Sequence, residues 1–265
     1  MTDRNAPPLI LITNDDGYDA EGATVLFGRL REMGEAYLVA PDREKSATSL
    51  ALTLRAPLRF RRPEPRVYAV EGTPADCVYL AMKKFLPRRP DLVVSGINHG
   101  PNLGQQDISY SGTVAGAVQG TYFGIPSLAV SALHDGEGRY DFAQAAEIAR
   151  RVAAGLLSGP PAGRITLNLN IPPPPVKGLR LTRLGWKEYF PEIIEARDPR
   201  LRSYFWIGMG KPKSYPEPDT DLDAVRQGYA SLTPLHSDAT HYDSLRLPAL
   251  KKFEEEIGGP ESGSR

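Results

Sequence analysis

The chain has 265 residues, with 32 basic and 32 acidic side chains, so its formal net charge is zero and nothing in that balance favours a nucleic-acid polymer as partner. This length can bury a substantial core without disulfide or metal staples, and the lone cysteine, Cys77, excludes an internal disulfide and reads as a buried small hydrophobe. Residues 1–8 are polar and contain proline, and the apolar run at 9–13 is too short for a signal or spanning segment, so a cytoplasmic protein with no membrane partner is expected.

Residues 9–17 read Leu-Ile-Leu-Ile-Thr-Asn-Asp-Asp-Gly. The apolar run predicts a buried strand that stops at two adjacent carboxylates, Asp15 and Asp16, flanked by the turn formers Asn14 and Gly17. Val25, Leu26, Leu30 and Met33 then recur at helical spacing over residues 20–33, with Gly34 as the expected C-cap. A second buried strand at 36–40 completes a strand-helix-strand unit, the opening of an open parallel sheet. Residues 43–49 are polar; 50–54, 58–60 and 67–70 look extended and suggest a side hairpin. Thr73-Pro74 starts a helix over 75–86, with Thr73 as N-cap and Pro74 at the first helical position.

A strand at 91–95 is followed by residues 96–109, whose four glycines and prolines among amides and acids predict a long functional loop. Ser111-Gly112-Thr113 leads into a helix at 114–123 whose small residues suit close packing. A strand at 127–131, an amphipathic helix at 141–157 ending near Gly159-Pro160-Pro161, and a strand at 165–170 follow, and the prolines at 172–175 are expected to end the doubly wound region. Beyond them, 179–184, 203–207 and 229–233 read as strands and 244–257 as a final helix. The fold class expected is therefore α/β: a Rossmann-like, doubly wound, mostly parallel sheet with a C-terminal β-hairpin and helix elaboration for oligomerisation. Residues 1–8 form an extension, 9–175 the catalytic core and 176–265 the elaboration.

Ligands of open parallel sheets bind beyond the carboxyl ends of the strands. The polar groups expected there are the Asp15-Asp16 pair, the hydroxyls of Ser46, Thr48 and Ser49, and the amides of Asn98 and Asn102. An oxygen-only set suits magnesium, manganese or calcium better than zinc. The carboxylates could equally cap the next helix or face solvent, and Ser111 could be a plain N-cap rather than part of a phosphate cradle at a helix start. Arg43 and Lys45 are candidate phosphate contacts or simply solvated cations. His99 alone among the four histidines lies in a proposed active loop, where an acid or base role is open to it.

The segments Thr13-Asn14-Asp15-Asp16-Gly17, Ala40-Pro41-Asp42-Arg43 with Ser46-Ala47, Gly72-Thr73-Pro74-Ala75-Asp76-Cys77, Val94-Ser95-Gly96-Ile97-Asn98-His99-Gly100-Pro101-Asn102 and Ser111-Gly112-Thr113-Val114-Ala115-Gly116-Ala117 together resemble the SurE survival-protein family. The resemblance implies a metal-dependent phosphomonoesterase acting on nucleoside 5′- and 3′-monophosphates, with exopolyphosphatase activity in addition, assembled as a homodimer or homotetramer. It implies one divalent cation per subunit, Mg²⁺ or Mn²⁺, with Ca²⁺ as an occupant in crystals. The implied metal ligands are Asp15, Asp16, Ser46 and Asn98, of which Asp15, Asp16 and Asn98 are also catalytic; Asn102, Ser111, Gly112 and Thr113 fall on the substrate side. Two other classes compete. A receiver-like magnesium-binding regulatory module also places acids after the first strand, but needs neither this length nor the 96–109 loop. A dinucleotide-dependent oxidoreductase would carry Gly-x-Gly-x-x-Gly where this chain has Asn14-Asp15-Asp16-Gly17.

Overall fold

In the computed structural model, residues 6–159, 163–208, 210, 212–215 and 217–257 are described. β1 (Leu9–Thr13) is buried at every position because it is central, paired in parallel with strands on both sides and covered on both faces. Its alternation divides the core: Ile10 and Ile12 pack into one cluster, Leu11 into another. α1 (Glu21–Leu30) buries Leu26 and Leu30 into the first of these clusters. It stops short of Gly34, which is not the helix cap; a Cβ there would lie 2.2 Å from the Pro8 carbonyl oxygen, so this glycine permits a close chain approach instead.

β2 (Glu35–Pro41) pairs with β1, and the antiparallel hairpin β3 (Phe60–Glu64) and β4 (Val67–Val70) joins through β4. Residues 50–54 form no strand. The Thr53 N–H and hydroxyl both donate to the Asp76 carboxylate, at 2.9 and 2.7 Å, so a side chain rather than a neighbouring strand takes up that backbone. Asp76 also completes the capping box of α2 (Pro74–Leu80), where Thr73 is the N-cap as its sequence predicts; a π-helical turn, Ala81–Phe85, prolongs the helix. Cys77 is fully buried in α2, and that burial raises its thiol pKa well above the ordinary range, consistent with an inert hydrophobe.

β5 (Leu92–His99) is longer than the sequence suggests. The stretch 96–109 is therefore no single loop: its first residues continue the strand past a register shift between Ser95 and Asn98, and α3 (Gly104–Tyr110) occupies its far end. Gly96 is required at the shift, since φ is +142° and a Cβ would lie 2.3 Å from the Val130 carbonyl oxygen. α4 (Gly112–Tyr122) lies directly on the sheet. Cβ atoms added at Gly116 and Gly120 would meet Ser95 Oγ at 2.7 Å and Ser127 Oγ at 2.6 Å, so the small residues of this helix set its distance from β5 and from β6 (Ser127–Ala132). α5 (Phe142–Ser158), N-capped by Asp141, packs beside α1 on the opposite face from α2 and α4.

β7 (Ile165–Ile171) is followed by β8 (Leu179–Leu181), β9 (Trp186–Glu188), β10 (Ile193–Arg197), β11 (Ser203–Ile207), β12 (Lys213–Tyr215), α6 (Asp221–Arg226) and β13 (Ala230–His236). The sheet does not end at the prolines. β13 and β8 extend it, giving the nine-strand order β3-β4-β2-β1-β5-β6-β7-β13-β8, while β10–β11 and β12–β9 form two-stranded antiparallel pairs. The described residues up to Leu235 make one compact unit, and those from His236 to Ile257 belong to a second, which holds a 3₁₀ turn, Tyr242–Arg246, and α7 (Pro248–Ile257).

Candidate active site

Asp15 and Asp16 follow β1, and each is held by a different neighbour. Asp15 is only 4% exposed. The hydroxyl of Thr113, from the first turn of α4, donates to its Oδ1, and a Cβ on Gly112 would lie 2.8 Å from its Oδ2. The Lys45 N–H donates to the Asp15 carbonyl at 2.7 Å, drawing the 43–49 loop to the same tip. Asp16 turns towards β5, where its Oδ2 accepts the His99 backbone N–H at 3.2 Å and lies 3.0 Å from His99 Nδ1. Asn14 ties the turn by donating Nδ2 to the Gly17 carbonyl at 2.8 Å, while its buried Oδ1 has no partner among the described residues.

The first strand's acids thus meet the start of α4 and the end of β5. Asn98 donates Nδ2 to the Gly100 carbonyl at 2.8 Å, which leaves its carbonyl oxygen to offer. Ser46 is exposed, and its hydroxyl donates to Glu44 at 2.7 Å; among the described residues it makes no hydrogen bond to Asp15, Asp16 or Asn98. Ser111 is the N-cap of α4, accepting the Val114 N–H at 3.0 Å, so the Gly112 and Thr113 N–H groups remain first-turn donors with no intrahelical acceptor. Asn102 belongs to a buried amide network: its N–H donates to Asn170 Oδ1 at 2.8 Å, its Nδ2 to Ser131 Oγ at 2.7 Å, and its carbonyl accepts from Asn168 and Asn170 at 2.9 and 3.0 Å.

The sequence gives Asn168 and Asn170 no role beyond a weaker continuation of the family resemblance over 168–172, although two asparagines at i and i+2 put amides on one face of a buried strand, an expensive arrangement unless they hold something. It also passed over Tyr140 and Phe142, which no local pattern singles out, and it gave Thr113 only to a phosphate, not to Asp15.

Burial pushes the Asp15 carboxyl up to about 6; the Thr113 hydrogen bond opposes this and the neighbouring Asp16 charge adds to it. A cation shared by the two carboxylates would relieve that cost. Among the described residues no group of three or more His, Cys, Asp or Glu side chains could hold a metal. The two carboxylates would therefore need amide or hydroxyl oxygens to complete a shell, and Asn98 stands next in the chain to His99, which Asp16 contacts. The donors are hard oxygens, and they fit a divalent ion of the magnesium or manganese type.

The family profile described as "Survival protein SurE" matches residues 10–191. The chain belongs to the SurE family. Similar curated SurE proteins include a 5′-nucleotidase SurE of Pelobacter propionicus, 46% identical over 241 residues that cover 90% of this chain and 97% of that one. A 5′/3′-nucleotidase SurE of Proteus mirabilis is 46% identical over 242 residues, covering 90% and 93%. The crystal structure of a SurE protein from Aquifex aeolicus superposes with a TM-score of 0.79 at 37% identity, covering 94% of this chain and all of that one. The doubly wound sheet with its helices on both faces is thus the SurE fold.

Proposed function

We propose that this chain is a divalent-metal-dependent nucleotidase that hydrolyses nucleoside 5′- and 3′-monophosphates to nucleoside and phosphate. The observation that carries the reading is the bond from Thr113 to Asp15, which joins the acidic tip of β1 to the start of α4. Its support from relatives is that SurE proteins similar over about nine-tenths of the chain carry the names 5′-nucleotidase and 5′/3′-nucleotidase.

Asp15, Asp16 and Asn98 would hold the cation, with Ser46 as a fourth ligand once its hydroxyl leaves Glu44. When bound, the cation neutralises phosphoryl charge and polarises water. The protein's own groups do the rest. The Gly112 N–H and the positive end of the α4 dipole bind phosphate oxygens, while the Thr113 N–H and hydroxyl serve Asp15. Thr113 fixes the rotamer of Asp15, and the His99 N–H fixes that of Asp16. Direct attack by water is the expected route rather than a phospho-aspartyl intermediate, because β1 runs into adjacent aspartates and not into a spaced Asp-x-Asp arrangement.

The test is phosphate release from a panel of nucleoside monophosphates under magnesium and manganese, with and without chelator, for wild type and Asp15→Asn. Release that is absent, or indifferent to chelator, overturns the reading; a phosphorylated aspartate trapped during turnover overturns the direct route alone. Polyphosphate in the same panel tests exopolyphosphatase activity. Self-association as a dimer or tetramer is proposed for the β10–β11 pair, which exposes Ile193, Phe205, Trp206 and Ile207 at 63, 62, 64 and 76%, and sedimentation reads it directly. A cytoplasmic location is part of the same proposal, and cell fractionation checks it.

A further inference from the structure

The loop between β6 and α5 carries a group of rings that the phosphoryl chemistry does not use. Phe142, the first residue of α5, is 3% exposed and anchors the group. Tyr140 stacks on it, with ring centroids 5.3 Å apart and planes 10° from parallel. The His99 ring stands edge-on to both, 4.7 Å from Phe142 and 5.4 Å from Tyr140, and His134 stands edge-on to Tyr140 at 5.9 Å. His99 is also the residue whose Nδ1 lies 3.0 Å from Asp16 Oδ2, so the rings begin where the carboxylate pair ends.

Core packing accounts for Phe142 and for the inner part of Tyr140, which lies against the same cluster, but not for the open part of Tyr140 or for His134. Tyr140 is only half-buried and His134 is exposed, although both lie at the carboxyl ends of the strands where a ligand of this fold must enter. Their loop is fixed rather than slack. The Leu133 N–H donates to Ile171 at 2.9 Å, the Asp135 N–H to Arg139 at 3.1 Å, and Asp141 caps α5, so the rings are presented without a large ordering cost on binding. A flat heteroaromatic group attached to a phosphate is what a ring ledge beside a phosphate site can recognise, because stacking needs a π-face and no particular hydrogen-bond pattern.

We propose that Tyr140, with His99 and His134 at its edges, is the stacking ledge for the nucleobase of the substrate. This rests on the nucleotidase reading. It makes the leaving group's base, and not only its phosphate, a determinant of affinity, and it predicts tolerance among bases.

The experiment compares adenosine 5′-monophosphate with ribose 5-phosphate, which has no base, for the metal-loaded wild type, Tyr140→Ala and Tyr140→Phe. Loss of one stacking partner should raise the KM for the nucleotide about ten-fold in Tyr140→Ala and lower the preference for nucleotide over ribose 5-phosphate by the same factor, while Tyr140→Phe keeps that preference within about two-fold. Equal losses on both substrates would mean that Tyr140 only supports the start of α5, and an unaltered preference would mean that the base lies elsewhere; either result overturns the ledge. Saturation transfer from protein to the base protons of the nucleotide gives a readout free of turnover, expected in wild type and Tyr140→Phe and weakened in Tyr140→Ala. A wild type that cleaves neither compound defeats the nucleotidase reading, and the transfer experiment then decides the ledge by itself: transfer lost in Tyr140→Ala supports it, and transfer absent or unaltered overturns it.

Discussion

Asp15→Asn should make the metal-free protein more stable while removing its activity. The Asp15 carboxyl rises from 3.8 to about 6 on folding, chiefly through burial. A carboxyl whose pKa is higher folded than unfolded favours folding fully below the unfolded value, and that advantage is lost as the pH climbs through about 6. Above pH 7 the ionised group therefore costs the folded chain roughly 3 kcal/mol relative to a neutral one. Asparagine carries no charge to bury and feels no repulsion from Asp16, and its carbonyl can still accept from Thr113, though more weakly. The stronger bond that Thr113 gives a charged acceptor is already contained in that shift, so the net gain expected is about 3 kcal/mol. Urea unfolding in chelator should give near-equal stabilities for wild type and variant at pH 4 and a gap that opens between pH 4 and 7. In a chain of this size the melting temperature at pH 8 should rise by about 6–12 °C. If the pair holds the cation as proposed, magnesium added to wild type alone should close or reverse the gap. A variant less stable than wild type at pH 8 in chelator, or a gap that ignores pH, would refute the electrostatic account of this tip.

Thr113→Val removes the hydrogen bond that holds the Asp15 pKa down, so the acid limb of the kcat/KM profile should move to higher pH; a profile that keeps its shape and merely drops would point to phosphate binding instead. Gly112→Ala drives a Cβ to 2.8 Å from Asp15, an overpacking that should cost about 1–3 kcal/mol by denaturant titration and most of the activity. Lys187→Met strands Asp107, whose Oδ2 lies 2.7 Å from Lys187 Nζ with both side chains under a tenth exposed, and should cost about 3–5 kcal/mol. Adding Asp107→Leu should recover much of that loss in the same titration, because no lone charge then stays buried.

The central strands were legible because burial on both faces writes itself as an uninterrupted apolar run, as in residues 9–13, and because Thr73-Pro74 is a helix start that tertiary packing had no reason to override. What escaped was decided at a distance. Residues 50–54 look like a strand until Asp76 takes the Thr53 donors, and β5 outruns its apolar run because its last residues are the polar ones that face the site. The short elements β9, β10, β12 and α6 are too brief to show a period. At the site, the acidic stop after β1 was plain, but the partner of Asp15 lies 98 residues further on. Likewise, Asn102 owes its place to asparagines of β7, and nothing local announces either pairing.

The glycines of α4 carry a further consequence for how the site comes into being. Interior glycines such as Gly116 and Gly120 each cost a helix about 1 kcal/mol relative to alanine, so this segment is a poor helix on its own. Its order is borrowed from the β-sheet it touches. The first turn of α4, whose Thr113 holds Asp15, cannot persist in a partly folded molecule, and the acidic tip is then left without its counterpart. Amide exchange in α4 should accordingly track global unfolding rather than local fraying, so that a chain of this kind is either whole and competent or open and inert.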